Sequence, residues 1–226
     1  MNVSFFLVFI LGHLVGDFVL QTNKVAIMKS TSKKGVFIHS LIVFVSQAVL
    51  LSIYGINGII ASLLNFIIHY SIDSLKENIN KHIKKYKFII FVLDQIIHIV
   101  GIYILSLNFG LTNNILMIDL SLIKILITII VLTYVSSVMV IILIRDIDSS
   151  LIEKRFFKKK ERIIDALTNL MVWLLFYLPL FWSISLVILL FYFYQKYQKE
   201  FFDYNLKIIA IKYFVFIIIS YLFLGG

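Results

Sequence analysis

Long apolar runs alternate with short polar segments along this chain, and the runs have membrane length. Residues 3–20, 35–54, 59–75, 88–107 and 121–144 each fall within the ~17–25 residues that carry a helix across a bilayer. The second and third runs meet at Gly55-Ile56-Asn57-Gly58, an uncharged connection of the kind glycine permits. The last third is less regular. Residues 163–194 form one apolar stretch, longer than a single untilted span needs, with Pro179 in its middle. Proline removes a backbone donor and breaks a helix, so two short helices forming a hairpin are expected there, re-entrant or crossing as two thin spans. A final helix is expected over 206–224. The pattern predicts an all-α polytopic integral membrane bundle: six spans plus a C-terminal helical hairpin, eight helices if the hairpin crosses. Residues 1–226 read as one transmembrane domain, with a four-helix half at 1–107 and C-terminal helices at 121–226.

Composition agrees with that class. Hydrophobic residues make up 61% of the chain and charged residues 15%, whereas a soluble domain carries roughly 45–50% and 25%. The net charge of +9 invites a nucleic-acid reading. The basic residues, however, sit in short segments between apolar runs, which is a topology signal and argues against a nucleic-acid partner. Lys24, Lys29, Lys33 and Lys34 fill the first loop, the segment from Lys76 to Lys87 the third, and that from Arg145 to Arg162 the fifth; the second and fourth loops hold no basic residue. Basic short loops stay in the cytoplasm, so the N-terminus is expected outside. A hairpin at Pro179 also keeps Lys196, Lys199, Lys207 and Lys212 on the basic side. The first run lacks a basic leader and a small-residue cleavage site, so it is expected to stay as a helix. With no cysteine in the chain, disulfides, thiolate metal sites and cysteine nucleophiles are excluded.

The apolar runs are interrupted by imidazoles and carboxylates at helical spacing. His13, Asp17 and Gln21 stand four residues apart in the first run, and the second carries His39. The third carries His69, Asp73 and Lys76, and the fourth Asp94, Gln95 and His98. Residues four apart share a helix face. Counted from the lysine-rich ends at the helical rise, Asp17 and Asp73 lie ~5 Å deep, His39 ~6 Å, His13, His69 and Asp94 ~10 Å, and His98 ~15 Å. Helices of opposite direction thus bring their polar residues to one half of the bilayer, and a shared cytoplasm-facing site is expected. Imidazole and carboxylate are the usual nitrogen and oxygen ligands of zinc, manganese or iron. His13, Asp17, His69, Asp73 and His98 are the candidate ligands for one or two ions, with Gln21 and Gln95 as outer partners. Asp94 or His39 is the candidate general base, and Lys76 the candidate phosphate contact. Such a metal would lower the pKa of a bound water and polarise a phosphoryl or carbonyl oxygen.

Three classes of function follow. The first is a metal-dependent membrane hydrolase or transferase acting on a phosphate-bearing or lipid substrate. The second is a carrier of a metal ion, proton or small polar solute, since intramembrane carboxylates and histidines also build such pathways. Polar residues in the outer halves of these helices would be needed for a second mouth, and the pattern shows none of that kind. The third is a structural or regulatory subunit that uses the network for packing. His82 reads as solvated, Lys124 as a snorkelling interfacial residue. Asp146, Asp148 and Lys158-Lys159-Lys160 mark an inner-leaflet surface, Trp173 and Trp182 an aromatic belt. Asp165 and Asn169 are within possible reach of the cluster. The chain has no His-Glu-x-x-His helix, Gly-x-Ser-x-Gly elbow, Gly-x4-Gly-Lys loop or arginine ladder.

Gly12-His13-Leu14-Val15-Gly16-Asp17-Phe18-Val19-Leu20-Gln21-Thr22, His39, His69-x3-Asp73-x2-Lys76 and Leu93-Asp94-Gln95-x2-His98 together resemble a family of small bacterial polytopic membrane proteins catalogued only as a domain of unknown function. The resemblance is specific over the first hundred residues. Farther on, Lys160-Glu161-Arg162 fits the family's pattern, whereas Tyr177-Leu178-Pro179 and Phe193-Tyr194-Gln195-Lys196 depart from its Gly-Gln and Ala-Lys-Ser segments. The resemblance implies a bacterial cytoplasmic membrane and supports the His/Asp cluster. It implies no activity.

Overall fold

Each apolar run among the described residues folds as a helix. The computed structural model describes residues 2–83, 85–110 and 119–147. Helix α1 (Val3–Leu14) continues into a π-helical turn (Val15–Val19), and α2 (Asn23–Thr31) follows. Helix α3 (Lys33–Leu51) closes in a 3-10 turn (Ser52–Tyr54), followed by α4 (Ile56–His82) and α5 (Lys87–Phe109). Helix α6 (Leu120–Ile130), a second π-helical turn (Val131–Val135) and α7 (Ser136–Ile147) complete the described chain, which contains no strand. Lys33–Tyr54, Ile56–Ile79, Lys87–Phe109 and Leu120–Ile147 are each long and apolar enough to cross a membrane. A fifth span is reached only if α1, its π-helical turn and α2 count as one bent element, and α2 turns away by 91°. The expected sixth span, the Pro179 hairpin and the helix over 206–224 lie outside the described residues, as do Asp148, Lys158-Lys159-Lys160, Asp165, Asn169, Trp173 and Trp182.

Two compact units divide the chain, Met1–Ile130 and Val131–Gly226. The first holds every candidate site residue. In the second, the Ser137 hydroxyl donates to the Thr133 carbonyl at 2.7 Å and braces the π-helical turn.

Local chemistry explains the helix ends of the first unit. The Asn2 side chain caps α1 by accepting from the Ser4 and Phe5 amides. Thr22 caps α2 and Ser32 caps α3 in the same way. The turn between α3 and α4 passes through Gly55 at φ +68°, a conformation a side chain disfavours. The lysine-rich segment after the first run, expected as a loop, is largely the helix α2, and this change proves decisive for the site.

Helices α1 and α3 approach through two glycines. A Cβ on Gly12 would lie 2.9 Å from the Gln47 Cα, and one on Gly16 would lie 2.6 Å from the Val43 Cα. The Ser46 hydroxyl donates to the Gly12 carbonyl at 2.6 Å across the same contact. Lipid tails supply no hydrophobic force between helices, so close backbone packing and hydrogen bonds of this kind hold them together. Gly16→Ala is expected to destabilise the protein by about 1–3 kcal/mol, read as a lower midpoint of thermal unfolding in detergent. An unchanged midpoint would show that α1 and α3 can separate freely.

The interior is polar at one end and apolar at the other. At the lysine-rich end lie Asp17, His39, Asp73 and Asp94, all buried, and next to them His13, His69 and His98. Gln47 and Asn65 form the following layer, where the Asn65 amide donates to the Gln47 oxygen at 2.9 Å. Beyond them Phe5, Phe9, Leu51 and Ile102 are fully buried. The outside is the reverse, with apolar side chains such as Val49, Ile67 and Leu93 exposed. Charge inside and hydrocarbon outside is the arrangement a lipid solvent selects.

Candidate functional site

Four helices and the π-helical turn of α1 bring the predicted residues together. In the π-helical turn the Leu20 amide bonds to the Val15 carbonyl at 2.9 Å, five residues back. Such insertions re-aim side chains and recur at functional sites. Here the insertion carries Asp17 toward α3, and its Oδ1 lies 2.9 Å from His39 Nε2. Asp17 Oδ2 remains 3.9 Å from His13 Nε2, one turn back. From α4, His69 Nε2 lies 3.1 Å from Asp73 Oδ2 and 3.2 Å from His39 Nε2. His39 Nε2 is also 3.5 Å from Asp73 Oδ2. From α5, His98 Nε2 faces Asp73 Oδ1 at 3.7 Å and Asp94 Oδ1 at 3.6 Å. The rings of His69 and His98 stack at 4.1 Å, and that of His13 lies 5.4 and 5.3 Å from them.

Asp17 Oδ1, His39 Nε2, His69 Nε2 and Asp73 Oδ2 thus converge. Metal–ligand bonds of ~2.0–2.1 Å place tetrahedral donors ~3.3 Å apart, and the short contacts among these atoms run from 2.9 to 3.5 Å. Asp17, His39 and His69 form one trio able to hold an ion, and His69, Asp73 and His98 a second. The three short contacts of the His39–His69 pair cannot all be hydrogen bonds. Pairing with Asp17 requires a proton on His39 Nε2, and pairing with Asp73 requires one on His69 Nε2. The contact between the two nitrogens requires that only one of them carry a proton. With both carboxylates ionised, one contact is therefore repulsive for any choice of tautomer, and a cation between the lone pairs would relieve it.

Other predicted residues occupy neighbouring places. Gln95 donates to Asp17 Oδ2 at 3.1 Å and to Asp94 Oδ2 at 3.2 Å, tying α5 to α1. Gln21 is half-buried just past the π-helical turn. Lys76 makes a short ion pair with Asp94 Oδ2 and lies over the Phe91 ring. His39, a candidate base in the sequence, stands among the ligand-forming atoms. His82 and Lys124 are exposed.

Four participants carry no motif in the sequence: Lys29, Glu77, Asn65 and Gln47. Lys29, counted there only as a loop charge, is carried by α2 onto Asp73 Oδ2 at 2.8 Å and to 3.7 Å from Asp17 Oδ1. Glu77 is buried and pairs with Lys33 at 3.5 Å, while Lys33 also donates to the Ser74 carbonyl at 2.9 Å. Asn65 and Gln47 extend the polar interior by one layer. The signal for Asn65 and Glu77 was present, since Asn65, His69, Asp73 and Glu77 form one row at four-residue intervals on α4. Lys29 left no such signal, because its position depends on the turn of α2. Among these groups, Asp17, Asp73, Glu77 and Asp94 face the ammonium groups of Lys29, Lys33 and Lys76, one negative charge in excess.

No curated protein and no solved structure matches the chain. A family model described as "Protein of unknown function (DUF3307)" matches residues 5–124, a stretch that contains every residue of the cluster. The chain belongs to that family.

Proposed function

We propose that this chain is an integral membrane enzyme that uses a divalent metal ion, zinc, manganese or iron, to hydrolyse or transfer a phosphate-bearing or lipid substrate. In this reading it lies in a bacterial cytoplasmic membrane with the N-terminus outside, and the cluster opens at the inner leaflet. One observation supports the metal: with Asp17 and Asp73 ionised, the contacts around His39 and His69 conflict, and a cation between Asp17, His39, His69 and Asp73 would relieve them. His98 and His13 border that position and complete or orient the ligand set. Gln95 holds Asp17 in place as an outer partner.

Asp94 is the base for an attacking water, and Lys76 beside it is the contact for a phosphoryl oxygen. When bound, the ion supplies an acidified water and polarises the phosphorus–oxygen bond. Charge supports an anionic substrate. A divalent ion changes the one-charge negative excess of the cluster into a positive one. A carrier would need a second mouth, and Phe5, Phe9, Leu51 and Ile102 stand where that mouth would open.

The test is elemental analysis of the detergent-purified protein, wild type beside Asp17→Asn and His69→Ala. The expected result is close to one zinc, manganese or iron per chain in the wild type and little in either variant. A folded wild type that takes up none of these ions after incubation would sink the metal reading.

A further inference from the structure

Lys29 occupies the wrong place for a bystander. Its ammonium reaches the same two oxygens, Asp17 Oδ1 and Asp73 Oδ2, that face His39 and His69. An ion seated among those four donors would lie within ~4 Å of this ammonium, and like charges at that separation repel strongly in a buried site. The helix that carries Lys29 is packed against α3, where a Cβ on Gly35 would stand 2.0 Å from the Met28 carbonyl. The Lys29 side chain, 17% exposed, reaches from that helix to the two oxygens. What moves at low cost is therefore the side chain, a compact ammonium on a flexible four-carbon stem.

We propose that Lys29 is a resident counter-cation that exchanges with the metal ion. Without the ion, its ammonium holds Asp17 and Asp73 in register and stops four carboxylates from forcing the helices apart. With the ion, the Lys29 side chain leaves those oxygens and swings outward, and the ammonium joins Lys33 and Lys76 at the mouth. There it meets the anionic group of the substrate. The exchange rests on the metal reading above and adds to it a competitor and a moving part. It also gives the site an order of events, ion first and substrate second, because the third lysine becomes available to an anion only after the ion has taken its place.

The test compares zinc and manganese affinity of the wild type, Lys29→Met and Lys29→Arg in detergent, by titration against a chelator. Removing a competing cation tightens binding by mass action, so Lys29→Met is expected to bind roughly tenfold or more tightly, and Lys29→Arg no more tightly than wild type. Reductive methylation of the wild-type protein, read at Lys29 by mass spectrometry, follows the accessibility of that amine. Zinc is expected to raise the labelling of Lys29 severalfold, and this measurement stands even where Lys29→Met fails to fold. Equal or weaker binding by a folded Lys29→Met, or Lys29 labelling that zinc does not raise while zinc binds, would overturn the exchange and leave the metal reading intact. Absence of binding in every variant would overturn both.

Discussion

Asp73→Asn is expected to strip the protein of the ion proposed above and to loosen the metal-free fold as well. The Asp73 carboxylate faces His39, His69 and Lys29 with one oxygen and His98 with the other. Only Asp17, which meets His13, Lys29, His39 and Gln95, touches as many partners among the described residues of the cluster. Loss of an outer partner of a metal costs ~10–100-fold in affinity, and loss of a shared carboxylate ligand is expected to exceed that. The same change leaves Lys29 with only the longer Asp17 contact, and breaking a buried ion pair from one side costs about 3–5 kcal/mol. Two measurements separate the effects: elemental analysis of the purified variant, and its thermal unfolding with metal chelated. A variant with the metal content and chelated-state stability of the wild type would remove Asp73 from the centre of the site.

Asp94→Asn should have the opposite profile, with the ion retained and turnover lost. Asp94 lies on the Lys76 side of the cluster, outside the Asp17–His39–His69–Asp73 group. A positioned base contributes about 10²–10⁴-fold to rate, and its amide analogue cannot take a proton. The expected result is a fall of that size in phosphate release from a lipid monophosphate in mixed micelles, at unchanged metal content. Parallel loss of metal and activity would instead make Asp94 a ligand. Lys76→Ala complements it, with a raised KM expected from the lost phosphate contact.

Much of this arrangement was legible in the chain, for identifiable reasons. The apolar runs set the helices, because a membrane leaves few alternatives to helix for an unpaired backbone. Four-residue spacing placed His13 with Asp17, His69 with Asp73 and Asp94 with His98 on common faces, and each pair lies within 3.9 Å in the structure. Depth counted from the lysine-rich ends brought these pairs to one level. The reading stopped where position depends on tertiary geometry. The π-helical turn at Val15–Val19, which carries Asp17 toward His39, has no composition that sets it apart from an α-helix. Lys29 sits on a short helix whose 91° turn follows from the packing around it. Asn65 and Glu77 fell on the same α4 row as His69 and Asp73. An amide and a glutamate on such a row are common on solvated helix faces too, so the spacing alone does not bury them.

The apolar end of the first unit has a consequence for the cell. Phe5, Phe9, Leu51 and Ile102 lie behind the Gln47–Asn65 layer, and the hydroxyls of Ser62 and Ser106 nearby are spent on their own helices. Among the described residues, a proton leaving the histidines toward that side meets this apolar layer before another titratable group. On the enzymatic reading proposed above, a dense set of titratable groups then resides within a membrane without short-circuiting its ion gradients, and product and substrate take turns at one doorway.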